Sequence, residues 1–252
     1  MLSENHNEML NDSELDLVKK GFEWLSSQQI SSIKELSSTV SAHSLWGCPN
    51  PYITQLILKK KDGSWDSSIR DTSRACSALS NAGIVFMESE KWLLSQKTND
   101  SWNNDVYDTT YALSALADMK TPDKEGCLWL YENYYSAWEQ VGTTSLIITA
   151  LKKQEKLAQT KNFETFIKER ASWILSKKEQ DNGWNHISTS NLVIQALILA
   201  GFKAQIKDSI HWLFKNVHNN GAWGNKKDEI NATALTLTTL GLYKEALKTE
   251  IH

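Results

Sequence analysis

The 252-residue chain carries Lys+Arg 27 against Asp+Glu 30, and a net charge of −3 gives no basic footprint for nucleic acid. Apolar residues make up 40%, enough for a substantial core, and only 3 Pro and 11 Gly interrupt it, which favours an all-α chain. The cysteines Cys48, Cys76 and Cys127 are far apart, odd in number and outside any CxxC or Cys/His cluster, so neither a zinc site nor a disulfide framework is indicated.

Residues 1–12 are polar and acidic, with no basic n-region or apolar h-region. They are read as a flexible N-terminal segment rather than a signal peptide. Helix patterns then follow in pairs: 13–28 and 34–46, 51–60 and 69–83, 88–97 and 106–120, 124–135 and 143–157, 162–179 and 188–201, 205–217 and 230–243. Residues 244–252 are expected as a helical tail. The most apolar run, 192–202, is 11 residues long and too short to span a bilayer, so a cytoplasmic protein without a transmembrane segment is expected.

The pairs repeat one another. The second helices align as Ser37-Ser38-Thr39…Leu45, Asp71-Thr72-Ser73…Leu79, Asp108-Thr109-Thr110…Leu116, Thr143-Thr144-Ser145…Leu151, Thr189-Ser190-Asn191…Leu197 and Ala232-Thr233-Ala234…Leu240. Five first helices share a Trp: Trp24, Trp92, Trp129, Trp173 and Trp212. The intervening loop ends in a second Trp in five pairs, at Trp65, Trp102, Trp138, Trp184 and Trp223. In four of these, Gly, Asn or Asp precedes the Trp, as in Asp62-Gly63-Ser64-Trp65 and Asn182-Gly183-Trp184: turn residues followed by a large apolar anchor. The second helices are poor in charge and suit an inner wall. The first carry Lys/Glu runs and suit the outside. No linker stands out, so residues 1–252 read as one domain. Six helical hairpins are a number that closes into a ring.

The Trp-Leu helix, the Gly-x-Trp loop and the Asp-Thr-[Ser/Thr] helix start together resemble the repeat of the terpenoid cyclase and protein prenyltransferase superfamily, which includes squalene-hopene cyclases and class II diterpene cyclases. The resemblance runs over residues 13–243. It implies an all-α (α/α)6 double barrel, a toroid of six helical hairpins whose inner-helix N-termini face a central cavity, with the repeat Trp residues structural. Class II cyclases protonate an alkene or epoxide with an acid of an Asp-x-Asp-Asp-Thr motif at an inner-helix start. Here that place holds Asp105-Val106-Tyr107-Asp108-Thr109-Thr110. In one register Tyr107 stands in for the acid. In the Asp-x-Asp-Thr-Thr register, Asp108 is the acid and Val106 replaces the first Asp.

The resemblance therefore implies a class II-like cyclase of a hydrophobic polyene or isoprenoid, of isomerase or lyase type. Asp108 would be the acid and Asp105 or Asp71 would tune it. Such chemistry wants a protonated carboxyl in an apolar cavity, a form that burial and a neighbouring carboxylate both favour. Tyr107 and Tyr111 would turn ring faces to the cation. Thr109, Arg70, His43 on the first inner helix and His186 at the mouth of pair five complete the candidate substrate-binding set. The protonation needs no cofactor; magnesium enters only with a diphosphate substrate. The zinc-binding Asp-x-Cys pair of prenyltransferase β-subunits and the magnesium motifs of class I synthases have no counterpart.

Three alternatives stay open. Asp, Ser and Thr are preferred N-caps, and the leading residue is one of them in five of six repeats, so Asp71 and Asp108 read equally as helix caps. The toroid also suits a non-catalytic module that binds a lipid or a protein. Carbohydrate-active (α/α)6 enzymes use acidic clefts and Trp platforms, but here the repeat joints account for nearly every Trp, with Trp46 the main spare. In class II enzymes the cavity usually lies between two barrels, so a homodimer or partner barrel is an expected means of closure.

Overall fold

A computed structural model describes residues 10–158 and 163–248. Among these, twelve α-helices alternate outer and inner: α1 (Asp12–Ser26), α2 (Ile33–Trp46), α3 (Tyr52–Leu58), α4 (Ile69–Asn81), α5 (Met87–Ser95), α6 (Val106–Asp118), α7 (Lys124–Glu132), α8 (Val141–Ala158), α9 (Glu164–Ser176), α10 (Ile187–Leu199), α11 (Lys207–Lys215) and α12 (Glu229–Lys248). Each even-numbered helix packs on the next, and α12 packs on α2, so the inner wall closes on itself. The odd-numbered helices lie outside it. The six hairpins form the (α/α)6 barrel that the repeat implied. No helix of the described residues is long and apolar enough to cross a membrane.

Local chemistry sets the helix starts. Asn11 and Glu14 form a capping box at α1, and Ser32, Ser68, Asp105 and Asp123 accept a backbone N–H at α2, α4, α6 and α7. Gly47 closes α2 in the left-handed region, at φ 64°.

In four of the loops a Trp is the joint between outer and inner helix. The Trp102 indole donates to the Leu93 carbonyl of α5 at 2.7 Å, and its backbone N–H donates to the Thr109 hydroxyl of α6 at 3.1 Å. Trp65 repeats this with Leu56 and Thr72, Trp184 with Ile174 and Ser190, and Trp223 with Leu213 and Thr233. All four rings are buried. The second residue of the Asp-Thr-[Ser/Thr] element is therefore a joint hydroxyl. Glycine is required where these loops meet a neighbour. A Cβ on Gly183 would stand 2.5 Å from the Trp212 ring, and one on Gly221, at φ +91°, 2.8 Å from the Lys20 carbonyl, where pair six meets pair one.

Four expectations change. The pair-one alignment is two residues out of register: Ser32 caps the N–H of Glu35 as Ser68 caps that of Asp71, so Glu35, not Ser37, fills the leading slot and His43, not Leu45, fills the Leu slot. His43 is buried like its Leu counterparts, whereas Leu45 is partly exposed. Pair four breaks the joint. Its loop lacks the Gly/Asn/Asp turn, makes a short 3₁₀ turn (Ser136–Trp138), and leaves Trp138 partly exposed against Trp129. The 244–252 tail is not separate, because α12 runs unbroken to Lys248, and residues 249–252 lie outside the described residues. At the other end, α1 already begins at Asp12, and of the 1–12 segment residues 1–9 lie outside the described residues.

Candidate active site

The joint defines the inward face of each inner helix. Thr109 points outward to Trp102, and Leu113 lies toward Gly126 of α7. At about 100° per residue, Tyr107, Tyr111, Ser114 and Asp118 stand on the opposite face. All four are partly exposed although α4 and α8 cover both flanks of α6, so they line a lumen that solvent enters. The same offsets give the lumen its rings. Lys34, Arg70, Tyr107, Gly142, Ser188 and Asn231 form the mouth. Ser38, Arg74, Tyr111, Leu146, Leu192 and Leu235 lie below it, then Ser41, Ser77, Ser114, Thr149, Gln195 and Thr238. Deeper still, Lys153 of α8 pairs with Asp118 of α6 at 2.7 Å.

The acids gather at the mouth on α4 and α6. Asp105 is the N-cap of α6 and accepts the backbone N–H of Asp108 at 2.8 Å. Asp108 is thus the third residue of the helix, not its cap, and its side chain is used elsewhere. One oxygen accepts from Arg70 Nε at 2.5 Å and the other from Asn103 Nδ2 at 2.8 Å. Arg70 Nη2 also reaches Asp105 at 3.0 Å. One guanidinium, 38 residues away from Asp108 and on the neighbouring helix, bridges both carboxylates. Burial disfavours its charge, but the bonds to Asp108 and Asp105 outweigh that and leave its pKa raised. Asn103 comes within reach because it and Asn104 adopt left-handed backbone, φ 55° and 50°, which Asn tolerates better than most residues. Asp108 is 8% exposed and the most buried of the three candidate acids. It lines a cleft of about 480 Å³ with Arg70, Asn103, Gln96 and Ser67–Ile69.

The other candidates separate. Asp71, also third in its helix and capped by Ser68, pairs with Arg74 at 2.9 Å, and Arg74 stacks over the Tyr111 ring at 4.5 Å. Arg70 lies over Tyr107 at 5.3 Å, and the Tyr107 hydroxyl bonds Thr143 of α8 at 2.9 Å. Thr109 does not line the lumen: it is buried in the joint, its hydroxyl taken by Trp102. Nor does His43. It occupies the outward Leu slot, edge-on to Phe22 and Tyr52, with Nδ1 2.9 Å from the Thr39 carbonyl, and burial lowers its pKa. His186 stands exposed before α10, with no side-chain capping bond. Trp46 is not spare: its indole donates to the Leu237 carbonyl at 2.8 Å, under Lys244. Arg74, Asn103 and Glu35 went unnoticed in the sequence. Glu35 was hidden by the register slip. For Arg74 the signal was its three-residue spacing from Asp71. Among the described residues no three His, Cys, Asp or Glu side chains converge as a metal would require.

No protein-family profile matches the sequence, and no curated protein matches it by sequence. The fold does match solved structures. The type II terpene cyclase MstE from Scytonema, in its apo form, superposes with a TM-score of 0.70 at 13% identity, covering 92% of this chain and 98% of that one. An ent-copalyl diphosphate synthase from Streptomyces platensis superposes with a TM-score of 0.64 at 13% identity, covering 83% of this chain. The present chain matches only 50% of the synthase, about half its length. The barrel is therefore a class II terpene cyclase-like fold.

Proposed function

We propose that the chain is a class II-like terpene cyclase that protonates a polyene or isoprenoid and lets the carbocation close rings in the lumen. The observation that carries this reading is Asp108: a buried carboxyl at an inner-helix start, at the mouth of a barrel whose solved neighbours include type II terpene cyclases. In the proposed step, protonated Asp108 gives its proton to an alkene carbon. The alkene π pair forms the new C–H bond, and the O–H pair stays on the carboxylate. Arg70 and Asn103 already point at the oxygens where that negative charge develops. While Asp108 is protonated, Asp105 keeps Arg70 paired. The faces of Tyr107 and Tyr111 shield the cation, which ends by returning a proton to water or a carboxylate. The step is proposed to need no cofactor, with magnesium reserved for a diphosphate substrate, and to take place in the cytoplasm. MstE supports activity of a single barrel, since this chain spans nearly all of it; a homodimer or partner barrel would then serve only to cover the mouth.

One observation favours a second reading, a non-catalytic barrel that holds a lipid or polyene. The middle ring, Ser41, Ser77, Ser114, Thr149, Gln195 and Thr238, puts hydroxyls and an amide where a carbocation would be quenched. The experiment is a product assay by mass spectrometry. Purified protein is incubated with linear isoprenoids, free and as diphosphates, with and without magnesium, beside Asp108→Asn. A cyclised product that falls by about 10²–10⁴-fold in the variant is expected. A product that survives undiminished removes Asp108 as the acid. Retention of the isoprenoid without turnover favours the binding barrel.

A further inference from the structure

Pair four breaks the Trp joint, and the break opens a second cleft. Trp138, Trp129 and Tyr135 cluster at the junction of pairs three and four. The Trp129 and Trp138 centroids are 5.6 Å apart with planes tilted by 42°, and Tyr135 and Trp138 are 5.2 Å apart, tilted by 50°. Tyr135 is 55% exposed. With Asn104, Asp105 and Asn133 these rings line a cleft of about 320 Å³, on the far side of the 103–108 turn from the acid site. The size is that of a small-molecule site.

The donors and acceptors of this cleft are unspent. The buried Trp of the intact joints gives its indole N–H to an outer-helix carbonyl. Among the described residues Trp138 does not, and neither its indole N–H nor that of the outer-helix Trp129 has a protein partner. The carboxamide of Asn104 is likewise unpartnered, and Asn133 uses only its Nδ2, on the Trp129 carbonyl. Asp105 spends one oxygen on Asp108 N and Arg70, leaving the other unbonded.

We infer that this cleft is a carbohydrate-binding subsite. A pyranose ring combines an apolar C–H face, whose hydrogens carry partial positive charge and match the negative face of an aromatic ring, with an edge of hydroxyls that both donate and accept. The cleft offers that pairing: three aromatic rings beside two carboxamides, two indole donors and a carboxylate oxygen. A purely apolar chain would use the three rings and none of the polar groups. The inference does not rest on the cyclase reading, since the cleft lies outside the lumen.

The test titrates the full chain with cellobiose, maltose and chitobiose, following Trp fluorescence and saturation-transfer NMR. Trp138→Ala and Asn133→Ala are compared with the unaltered protein, and far-ultraviolet circular dichroism checks that each variant is folded. At least one disaccharide is expected to bind saturably, with affinity falling tenfold or more in Trp138→Ala and severalfold in Asn133→Ala. The inference is overturned if no disaccharide binds, or if binding is unchanged in both variants. It is also overturned if farnesol, run in parallel, binds in place of the sugars and is lost in Trp138→Ala.

Discussion

The inner helices have two faces that obey different rules. The outward face repeats: in four of six hairpins a buried Trp bonds the same outer-helix carbonyl and the same inner-helix hydroxyl, at 2.7–3.1 Å. The inward face does not repeat. The mouth holds Lys34, Arg70 and Tyr107 on one side of the ring and Gly142, Ser188 and Asn231 on the other. The next ring down holds Ser38, Arg74 and Tyr111 against Leu146, Leu192 and Leu235. The helices are built equally well in both halves, so folding does not require the charges. The outward face fixes the barrel, and the inward face is left to select what enters it.

The most severe way to break this comparison is to remove a joint. Trp102→Ala deletes a buried indole and strands the Leu93 carbonyl, while the backbone N–H still reaches the Thr109 hydroxyl, so a loss of about 3–5 kcal/mol is expected in urea unfolding. Trp138→Ala, at the broken joint, is expected to stay below about 1 kcal/mol. Equal losses at the two sites would mean that the bonded joint is not what holds the hairpins.

On the inward face the effect should be smaller and should belong to one cluster. Arg70→Ala leaves Asp105 and Asp108 close together without their counter-charge. The side chain of Arg70 is 41% exposed, so solvent screens part of the cost, and about 1–2 kcal/mol is expected. The double variant Arg70→Ala/Asp108→Asn should recover most of that loss, because the repulsion goes with the second charge. If the double variant is no more stable than Arg70→Ala alone, the two acids do not share one counter-ion.

The outward face was legible in the sequence and the inward face only partly so, for a physical reason. A Trp joint needs a large ring, a turn before it and a hydroxyl after it, all close in the chain, so each row announces itself. Pair one has no loop Trp to anchor it, and its register slipped by two residues. Pair four has the Trp but not the turn, and the missing Gly, Asn or Asp was the signal that Trp138 would stay outside the joint. The mouth is made of contacts between helices. Asp105 and Asp108 were visible as neighbours in one motif, but nothing local indicates that Arg70 bridges them from another hairpin. The capping reading also needed coordinates to resolve: Ser68 and Asp105 cap, which frees Asp71 and Asp108 for Arg74 and Arg70.

His43 tests the register correction with the smallest expected change. It fills a slot held elsewhere by Leu79, Leu116, Leu151, Leu197 and Leu240, all fully buried. Burial lowers its pKa below 6.5, and the Thr39 carbonyl offsets this only in part. The unfolded chain therefore takes up a proton near pH 6.5 that the folded chain accepts only at lower pH. This group leaves stability unaffected above that range, and reduces it as pH falls from 6.5 to the folded pKa. His43→Leu abolishes that proton uptake and puts the repeat's own residue into the slot. Stability measured by urea at about pH 7.5 and about pH 5 should fall less with acid in His43→Leu than in the unaltered chain. The variant should be at least as stable as the parent at the lower pH. An unchanged pH slope would mean that His43 is not buried in the Leu slot, and the two-residue correction to pair one would go with it.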